Sequence, residues 1–170
     1  ERENYSADML QDLLKISAKH DVIHLLVLGL KQNQLIPQDH DEIEKYILKA
    51  VYRYEHLRYE YNNLCDALEI AQIPFLPLKG SVIRKYYPEA WMRTSCDIDI
   101  LVHDKDIERA REIMVDKCKY TYQGKGSHDI SLFSPTNIHV ELHYDLVEDG
   151  RVNASSNVLK DVWNASRARE

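Results

Sequence analysis

The sequence has 170 residues, of which 44% are hydrophobic and 29% are charged, and it contains only five Gly and five Pro. This length suits one domain, or one domain with a helical extension, and the composition excludes collagen-like and low-complexity chains. The 28 acidic residues outnumber the 22 Lys and Arg, and the resulting formal charge of -6 argues against a protein that coats nucleic acid. No apolar run approaches the roughly 18 residues of a spanning helix, so we expect no membrane partner.

The cysteines and the first residue bear on location and completeness. Cys65, Cys96 and Cys118 cannot all pair and form no CxxC motif, which predicts buried, reduced thiols and a cytoplasmic protein. The N-terminus shows no secretory signal. Residue 1 is Glu rather than Met, so we expect the sequence to be an excerpt from a longer chain.

Residues 1–72 are predicted to form an N-terminal helical region. Apolar residues recur at helical spacing near the start, and a second short helix is expected over 21–30. Residues 41–71 contain no Gly or Pro and repeat apolar residues in steps of three and four, which predicts a helix roughly 45 Å long. The members of this stripe are Ile43, Ile47, Val51, Tyr54, Leu57, Tyr61, Leu64 and Leu68.

Residues 73–170 show a different pattern, that of an α+β core with a small mixed β-sheet. Residues 97–102 are predicted to form a strand, followed by a helix over 105–117. A turn at Gly124-Lys125-Gly126 separates segments that predict an antiparallel meander over 120–123, 130–133 and 138–144. The predicted fold class is therefore α+β, and we expect the core to be truncated at its C-terminus.

Asp97 and Asp99 are the most informative residues of the sequence. Side chains alternate along a strand, so both carboxylates point to one face, while Ile98 and Ile100 point to the other. Two carboxylates on one face of an apolar strand repel each other and lose solvation, and a cation bound between them best explains the pair. The alternative is a frayed strand end with both carboxylates in water.

A second set of polar residues on one face lies in the last predicted strand. His139, Glu141 and His143 alternate there with apolar residues. If this strand lies beside 97–102, Glu141 joins the two aspartates as a third oxygen ligand, and such a set suits Mg²⁺. Taken alone, the two imidazoles and the carboxylate could instead hold Zn²⁺ or Fe²⁺.

Gly80 and Ser81 lie where a short apolar run meets a predicted helix. A Gly permits close approach of the backbone, and the first N–H groups of a helix attract anions. Four basic residues and one acid lie between Lys79 and Arg93, a local net charge of +3 in an acidic chain. These features indicate a polyphosphate site, and the alternative is an ordinary solvated basic surface.

The order of these motifs resembles that of the uncharacterised nucleotidyltransferase family in the DNA polymerase beta superfamily. The matching segments are Leu78-Lys79-Gly80-Ser81, Tyr86-Tyr87-Pro88, Arg93, Asp97-Ile98-Asp99-Ile100-Leu101-Val102 and His139-Val140-Glu141-Leu142-His143. The resemblance covers about residues 74–146. It implies catalytic, metal-binding carboxylates at Asp97, Asp99 and Glu141. It also implies substrate-phosphate contacts at Lys79, Gly80, Ser81 and Arg93.

The activity implied by the resemblance is Mg²⁺-dependent nucleotidyl transfer, with Mn²⁺ as an alternative ion. NMP would pass from an NTP to a hydroxyl of a small molecule, a protein or an RNA by two-metal catalysis, with release of pyrophosphate. Two other functions stay open: an inactive relative that binds nucleotide or a protein partner, and a Zn²⁺ or Fe²⁺ enzyme built on His139, Glu141 and His143. The sequence leaves both a monomer and self-association open.

Overall fold

The computed structural model describes residues 7–36, 41–146 and 162–166. Its helices are α1 (Ala7–Lys19), α2 (Ile23–Gln32), α3 (Asp41–Ile70), α4 (Lys79–Ile83), α5 (Ile107–Glu112) and α6 (Val162–Ala165). Its strands are β1 (Phe75–Pro77), β2 (Asp97–Val102), β3 (Thr121–Lys125), β4 (Asp129–Phe133) and β5 (His139–His143). None of the helices in these described ranges is long and apolar enough to cross a membrane.

The strands in the described part of the chain form a five-stranded sheet in the order β1-β2-β5-β4-β3. Strands β2 and β5 are parallel, whereas the other neighbouring pairs are antiparallel. The α+β class, the small mixed sheet and the meander of β3, β4 and β5 are therefore confirmed. The parallel pair places the two segments that carry the acidic residues side by side.

Alternation along the strands gives the sheet one apolar face. Ile98 and Ile100 of β2 lie opposite Val140 and Leu142 of β5, and all four side chains are almost fully buried. Helix α5, the π-helical segment that follows it (Ile113–Lys117) and the C-terminal half of α3 complete this core. Their buried members are Leu57, Leu64, Leu68, Ile107, Ala110 and Met114. Each large side chain removed from water contributes about 1.5–3 kcal/mol, so this face anchors the sheet and leaves the opposite face for polar groups.

A buried carboxylate ties α3 to the loops of the sheet. Glu60 is 3% exposed, and it accepts hydrogen bonds from the Tyr120 hydroxyl at 3.2 Å and the Thr136 hydroxyl at 2.5 Å. Burial and the nearby Glu60 charge raise the pKa of Tyr120. Because Thr136 lies in the turn between β4 and β5, this contact holds the approach to β5 against the helix.

The contacts of the chain define two compact units, Glu1–His56 with Arg84–Thr94 and Leu57–Ile83 with Ser95–Glu170. In the first unit, His24 Nε2 lies 3.1 Å from the carbonyl oxygen of Met92. Arg84 of the same unit donates to the carbonyl oxygen of Arg93 at 2.7 Å. The second unit contains the sheet and its core. The predicted domain division after residue 72 stays a prediction.

Two predictions of local structure are wrong. Strand β3 continues through Gly124 and Lys125, because a bulge keeps it paired with β4, and the turn begins at Gly126 instead. The Gly126 N–H donates to the carbonyl oxygen of Asp129 at 2.8 Å and closes this hairpin. Cys96, predicted to be buried, is exposed, because it lies in the loop just before β2.

Candidate active site

The polar face of the sheet is built where β2 and β5 run side by side. In their parallel register, Asp97 is the partner of His139, and Asp99 is the partner of Glu141. Side chains alternate along both strands, so these four residues lie on the face opposite the apolar core. The structure therefore shows that the two strands are neighbours, which the sequence had left open, and it brings Glu141 beside Asp99.

Asp99, Glu141 and His143 form a cluster of potential metal ligands. One ligand atom from each residue lies within 4.8 Å of the other two. His143 Nε2 lies 3.1 Å from Asp99 Oδ1 and 3.2 Å from Glu141 Oε2. Asp99 and His143 are 2% and 4% exposed, whereas Glu141 is partly open to solvent.

His143 is the member of this cluster that the sequence predicted only in the alternative transition-metal set. Both partners of its Nε2 atom are carboxylate oxygens, which accept hydrogen bonds, so we assign the proton to Nε2 and let His143 donate. Its ring also stacks on His128, with the ring centroids 5.6 Å apart. The signal in the sequence was its position two residues after Glu141 on the same strand face.

Lys79 supplies a positive charge between the two acidic residues of the cluster. Its Nζ atom lies 2.6 Å from Asp99 Oδ1 and 3.4 Å from Glu141 Oε2. The backbone of Lys79 has a φ of 43°, a left-handed conformation that is uncommon for a side chain of this kind. The sequence predicted that Lys79 contacts phosphate, and the structure places its ammonium group against the carboxylates.

The ionisation of this cluster follows from its neighbours. Burial of the Asp99 carboxyl group opposes its charged form, but hydrogen bonds from His143 and Lys79 outweigh burial and lower the pKa of Asp99 to about 2. Burial of Lys79 likewise opposes its charge, but the hydrogen bond to Asp99 and the negative charges of Asp99 and Glu141 raise the pKa of Lys79. Asp99 is therefore a carboxylate and Lys79 an ammonium ion at neutral pH.

Asp97 and His139 lie on the same sheet face but outside the described cluster. Asp97 is half-buried at the first position of β2. Its carboxylate does not belong to the cluster of Asp99, Glu141 and His143, whose ligand atoms lie within 4.8 Å of one another. His139 Nε2 is 2.7 Å from the Ser131 hydroxyl oxygen, and its Nδ1 is 3.9 Å from Glu141 Oε1. The metal-binding role predicted for Asp97 stays a prediction.

Gly80 and Ser81 follow Lys79 in α4, where the chain passes close to the loop before β2. A Cβ atom on Gly80 would lie 3.0 Å from Ser95 Oγ, so the predicted close approach involves a neighbouring side chain. The Ser81 N–H donates to the carbonyl oxygen of Leu78 at 3.2 Å, which closes the turn into α4. Phosphate contacts of Gly80 and Ser81 stay predictions.

Arg93 belongs to the first compact unit, whereas the carboxylates belong to the second. Its guanidinium group donates to the main-chain carbonyl oxygen of Thr94. The phosphate contact predicted for Arg93 is therefore also still a prediction.

The donor set of the cluster fits a divalent cation. The carboxylates of Asp99 and Glu141 supply oxygen ligands of the kind that Mg²⁺ and Mn²⁺ prefer. The imidazole of His143 is a ligand that transition metals accept readily. The ammonium group of Lys79 already lies against both carboxylates, which indicates that this part of the sheet attracts positive charge.

Comparison with known proteins supplies the family. Residues 6–170 match the family described as uncharacterised nucleotidyltransferase. A comparison with curated protein sequences finds no match. Among solved structures, the solution structure of the antibiotic-resistance factor ANT(2'')-Ia is similar, with a TM-score of 0.48 and 12% sequence identity over 61% of this chain. The match spans 57% of the length of that protein. Because the family match extends over nearly all of the sequence, the chain belongs to the uncharacterised nucleotidyltransferase family.

Proposed function

We propose that this protein is a nucleotidyltransferase that moves NMP from an NTP to a hydroxyl acceptor and uses divalent cations, Mg²⁺ or Mn²⁺, for the reaction. The observation that carries the proposal is the cluster of Asp99, Glu141 and His143 on the polar face of β2 and β5 in a chain of this family. A small molecule, a protein or an RNA would supply the acceptor hydroxyl.

Asp99 and Glu141 would hold the cations, with Asp97 as a further ligand from the same strand face. A bound divalent cation would neutralise the triphosphate and lower the pKa of the acceptor hydroxyl. The acceptor oxygen would form a bond to the α-phosphorus while the bond from that phosphorus to the leaving pyrophosphate breaks. Glu141 would take the acceptor proton, and its greater exposure compared with Asp99 supports this role.

The substrate side of the site would be formed by Lys79, Gly80 and Ser81, and a phosphate contact of Arg93 is proposed from the order of the motifs in the sequence alone. The Leu78 N–H donates to the carbonyl oxygen of Asp99 at 3.0 Å, and this contact supports the proposal because it holds the residue before α4 against β2. The Ser81 N–H is engaged in the turn, so its hydroxyl is the group that would reach a phosphate oxygen. Most of the catalytic effect would come from positioning and electrostatics rather than from a covalent enzyme intermediate.

The test is pyrophosphate release by the purified chain with each of the four NTPs, Mg²⁺ or Mn²⁺, and a cell extract as the source of acceptors. Asp97→Asn, Asp99→Asn and Glu141→Gln are each expected to reduce release on the order of a thousandfold, because each removes a charge from the cation site. Asp116→Asn changes an exposed carboxylate away from this face and serves as the matched control.

Full metal-dependent activity in the Asp97 and Asp99 variants would contradict the assignment. Binding of metal–NTP without pyrophosphate release for any acceptor would instead favour the inactive, nucleotide-binding relative. A stoichiometric Zn²⁺ or Fe²⁺ in the purified protein would favour the third function, the transition-metal enzyme.

A further inference from the structure

The ammonium group of Lys79 lies where the proposed function needs a divalent cation to bind. Its Nζ atom is 2.6 Å from Asp99 Oδ1 and 3.4 Å from Glu141 Oε2, and these are the carboxylates of the ligand cluster. Mg²⁺ binds carboxylate oxygens at about 2.0–2.1 Å, so a cation ligated by the same two oxygens would lie almost in contact with this ammonium group. The repulsion between the two positive charges makes simultaneous occupancy unfavourable.

The side chain of Lys79 can leave the carboxylates without a change in the fold. It is 58% exposed, so other rotamers that point into solvent are open to it. The backbone beside it is held in place, since the Leu78 N–H donates to the carbonyl oxygen of Asp99 at 3.0 Å. Lys79 is thus a solvent-exposed cation beside a backbone segment that is hydrogen-bonded to β2.

We propose that Lys79 occupies the carboxylate pair as a tethered cation when no nucleotide is bound and moves to the phosphate oxygens when metal and NTP enter together. The competition follows from the geometry of the cluster, whereas the destination of the side chain rests on the proposed function. In the nucleotide-free protein Lys79 weakens the binding of a bare divalent cation. When a triphosphate is present, the displaced ammonium group gains a new anionic partner, so metal and nucleotide each strengthen the binding of the other.

The experiment measures Mn²⁺ binding to the metal-stripped chain by the loss of the free-ion electron paramagnetic resonance signal, with and without a non-hydrolysable NTP analogue. A titration without protein corrects for the Mn²⁺ that the analogue itself chelates. The test variant is Lys79→Met, which keeps a long side chain and removes the charge. Lys79→Arg keeps the positive charge. Lys125→Met is the matched control, because Lys125 also pairs with a carboxylate, that of Glu108 at 3.2 Å, away from the cluster.

Without nucleotide, Lys79→Met is expected to bind Mn²⁺ on the order of tenfold more tightly than the wild type. The analogue should strengthen Mn²⁺ binding in the wild type and have much less effect in Lys79→Met. Lys79→Arg and Lys125→Met should show no gain in affinity for Mn²⁺ alone. Circular dichroism of each variant checks that the fold is retained.

Equal Mn²⁺ affinity of the wild type and Lys79→Met in the absence of nucleotide would overturn the inference. The same gain in Lys125→Met would also overturn it, since the effect would then reflect net charge rather than competition at the cluster. The proposed function fails in a different way, by the absence of pyrophosphate release from the wild type. A gain in Lys79→Met supports the competition whether or not transfer is found.

Discussion

Asp99 carries a negative charge although its side chain is almost fully buried. An isolated carboxylate at such a place would take up a proton, because burial removes its hydration. His143 and Lys79 donate to Asp99 Oδ1 at 3.1 Å and 2.6 Å, and these contacts replace the lost water. The pKa of Asp99 is consequently about 2, and the carboxylate is available as a ligand over the whole physiological pH range.

This ionisation predicts a specific dependence of stability on pH in metal-free protein. The pKa of Asp99 is about 2 in the folded chain and near 3.8 in the unfolded chain, so the unfolded chain binds more protons between these values. The charged form of Asp99 therefore adds about 2 kcal/mol to the free energy of unfolding above roughly pH 5. This contribution is lost as the pH falls through 4 towards 2. Urea unfolding of the wild type and Asp99→Asn should show a stability difference that shrinks over this interval. A difference that stays constant from pH 6 to pH 2 would show that Asp99 is not stabilised as an anion.

At the scale of secondary-structure elements, the site depends on where β5 lies relative to β2. Each strand places its apolar residues in one core, and the register of the parallel pair sets Asp99 opposite Glu141. A shift of the register by one residue would turn the polar side chains of β5 into the core. Glu60 of α3 supports the arrangement, because it accepts a hydrogen bond from Thr136 in the turn that leads to β5.

Removal of the Glu60 carboxylate is expected to destabilise the fold. Glu60→Ala leaves the buried Tyr120 hydroxyl and the Thr136 hydroxyl without this acceptor, and we expect a loss of about 3 kcal/mol in the free energy of unfolding. Glu60→Gln keeps an acceptor oxygen and should lose less. Tyr120→Phe removes one of the two donors and should cost about 1 kcal/mol. Equilibrium urea unfolding measures all three variants, and an unchanged stability of Glu60→Ala would refute the anchoring role.

At the scale of the whole molecule, an acidic chain must accommodate a polyanionic substrate under the proposed function. The formal charge of the chain is -6. The basic stretch from Lys79 to Arg93, with a local net charge of +3, is divided between the two compact units. Lys79 lies with the carboxylates, while Arg84 of the first unit holds main-chain carbonyl oxygens of Ala90 and Arg93. Part of the local positive charge is therefore engaged in hydrogen bonds that stabilise the fold. Under the proposed function, bound cations would have to supply much of the positive charge that neutralises a triphosphate.

The proposed function predicts that metal and nucleotide together stabilise the chain. With Mn²⁺ and a non-hydrolysable NTP analogue at about 100 times their apparent Kd, the stabilisation is about 2.7 kcal/mol. For a chain of this length, such a gain raises Tm by roughly 5–10 °C. Thermal unfolding followed by circular dichroism measures the shift, and omission of Mn²⁺ or the Asp99→Asn substitution should remove it. An equal rise in Tm in Asp99→Asn would show that residues other than Asp99 bind the metal and the nucleotide.

Much of the fold and part of the candidate site can be predicted from the sequence because they follow from local patterns. The absence of Gly and Pro over residues 41–70 and the apolar steps of three and four determine α3. Polar and apolar residues alternate along β2 and β5. This alternation places Asp99 and Glu141 on the face opposite the apolar core, and it does so regardless of which strands are neighbours. The order of the motifs was sufficient to identify the nucleotidyltransferase family, which the family match confirms.

Only the tertiary structure decided which of these groups meet. The sequence alone left open whether β5 lies beside β2, because strand order depends on how helices and sheet share one core rather than on any local pattern. The contacts of His143 and Lys79 with Asp99 depend on that order and on a left-handed turn at Lys79, which no pattern of residue types specifies. Local chemistry therefore determined the residues that could act, and long-range packing determined which of them lie within bonding distance.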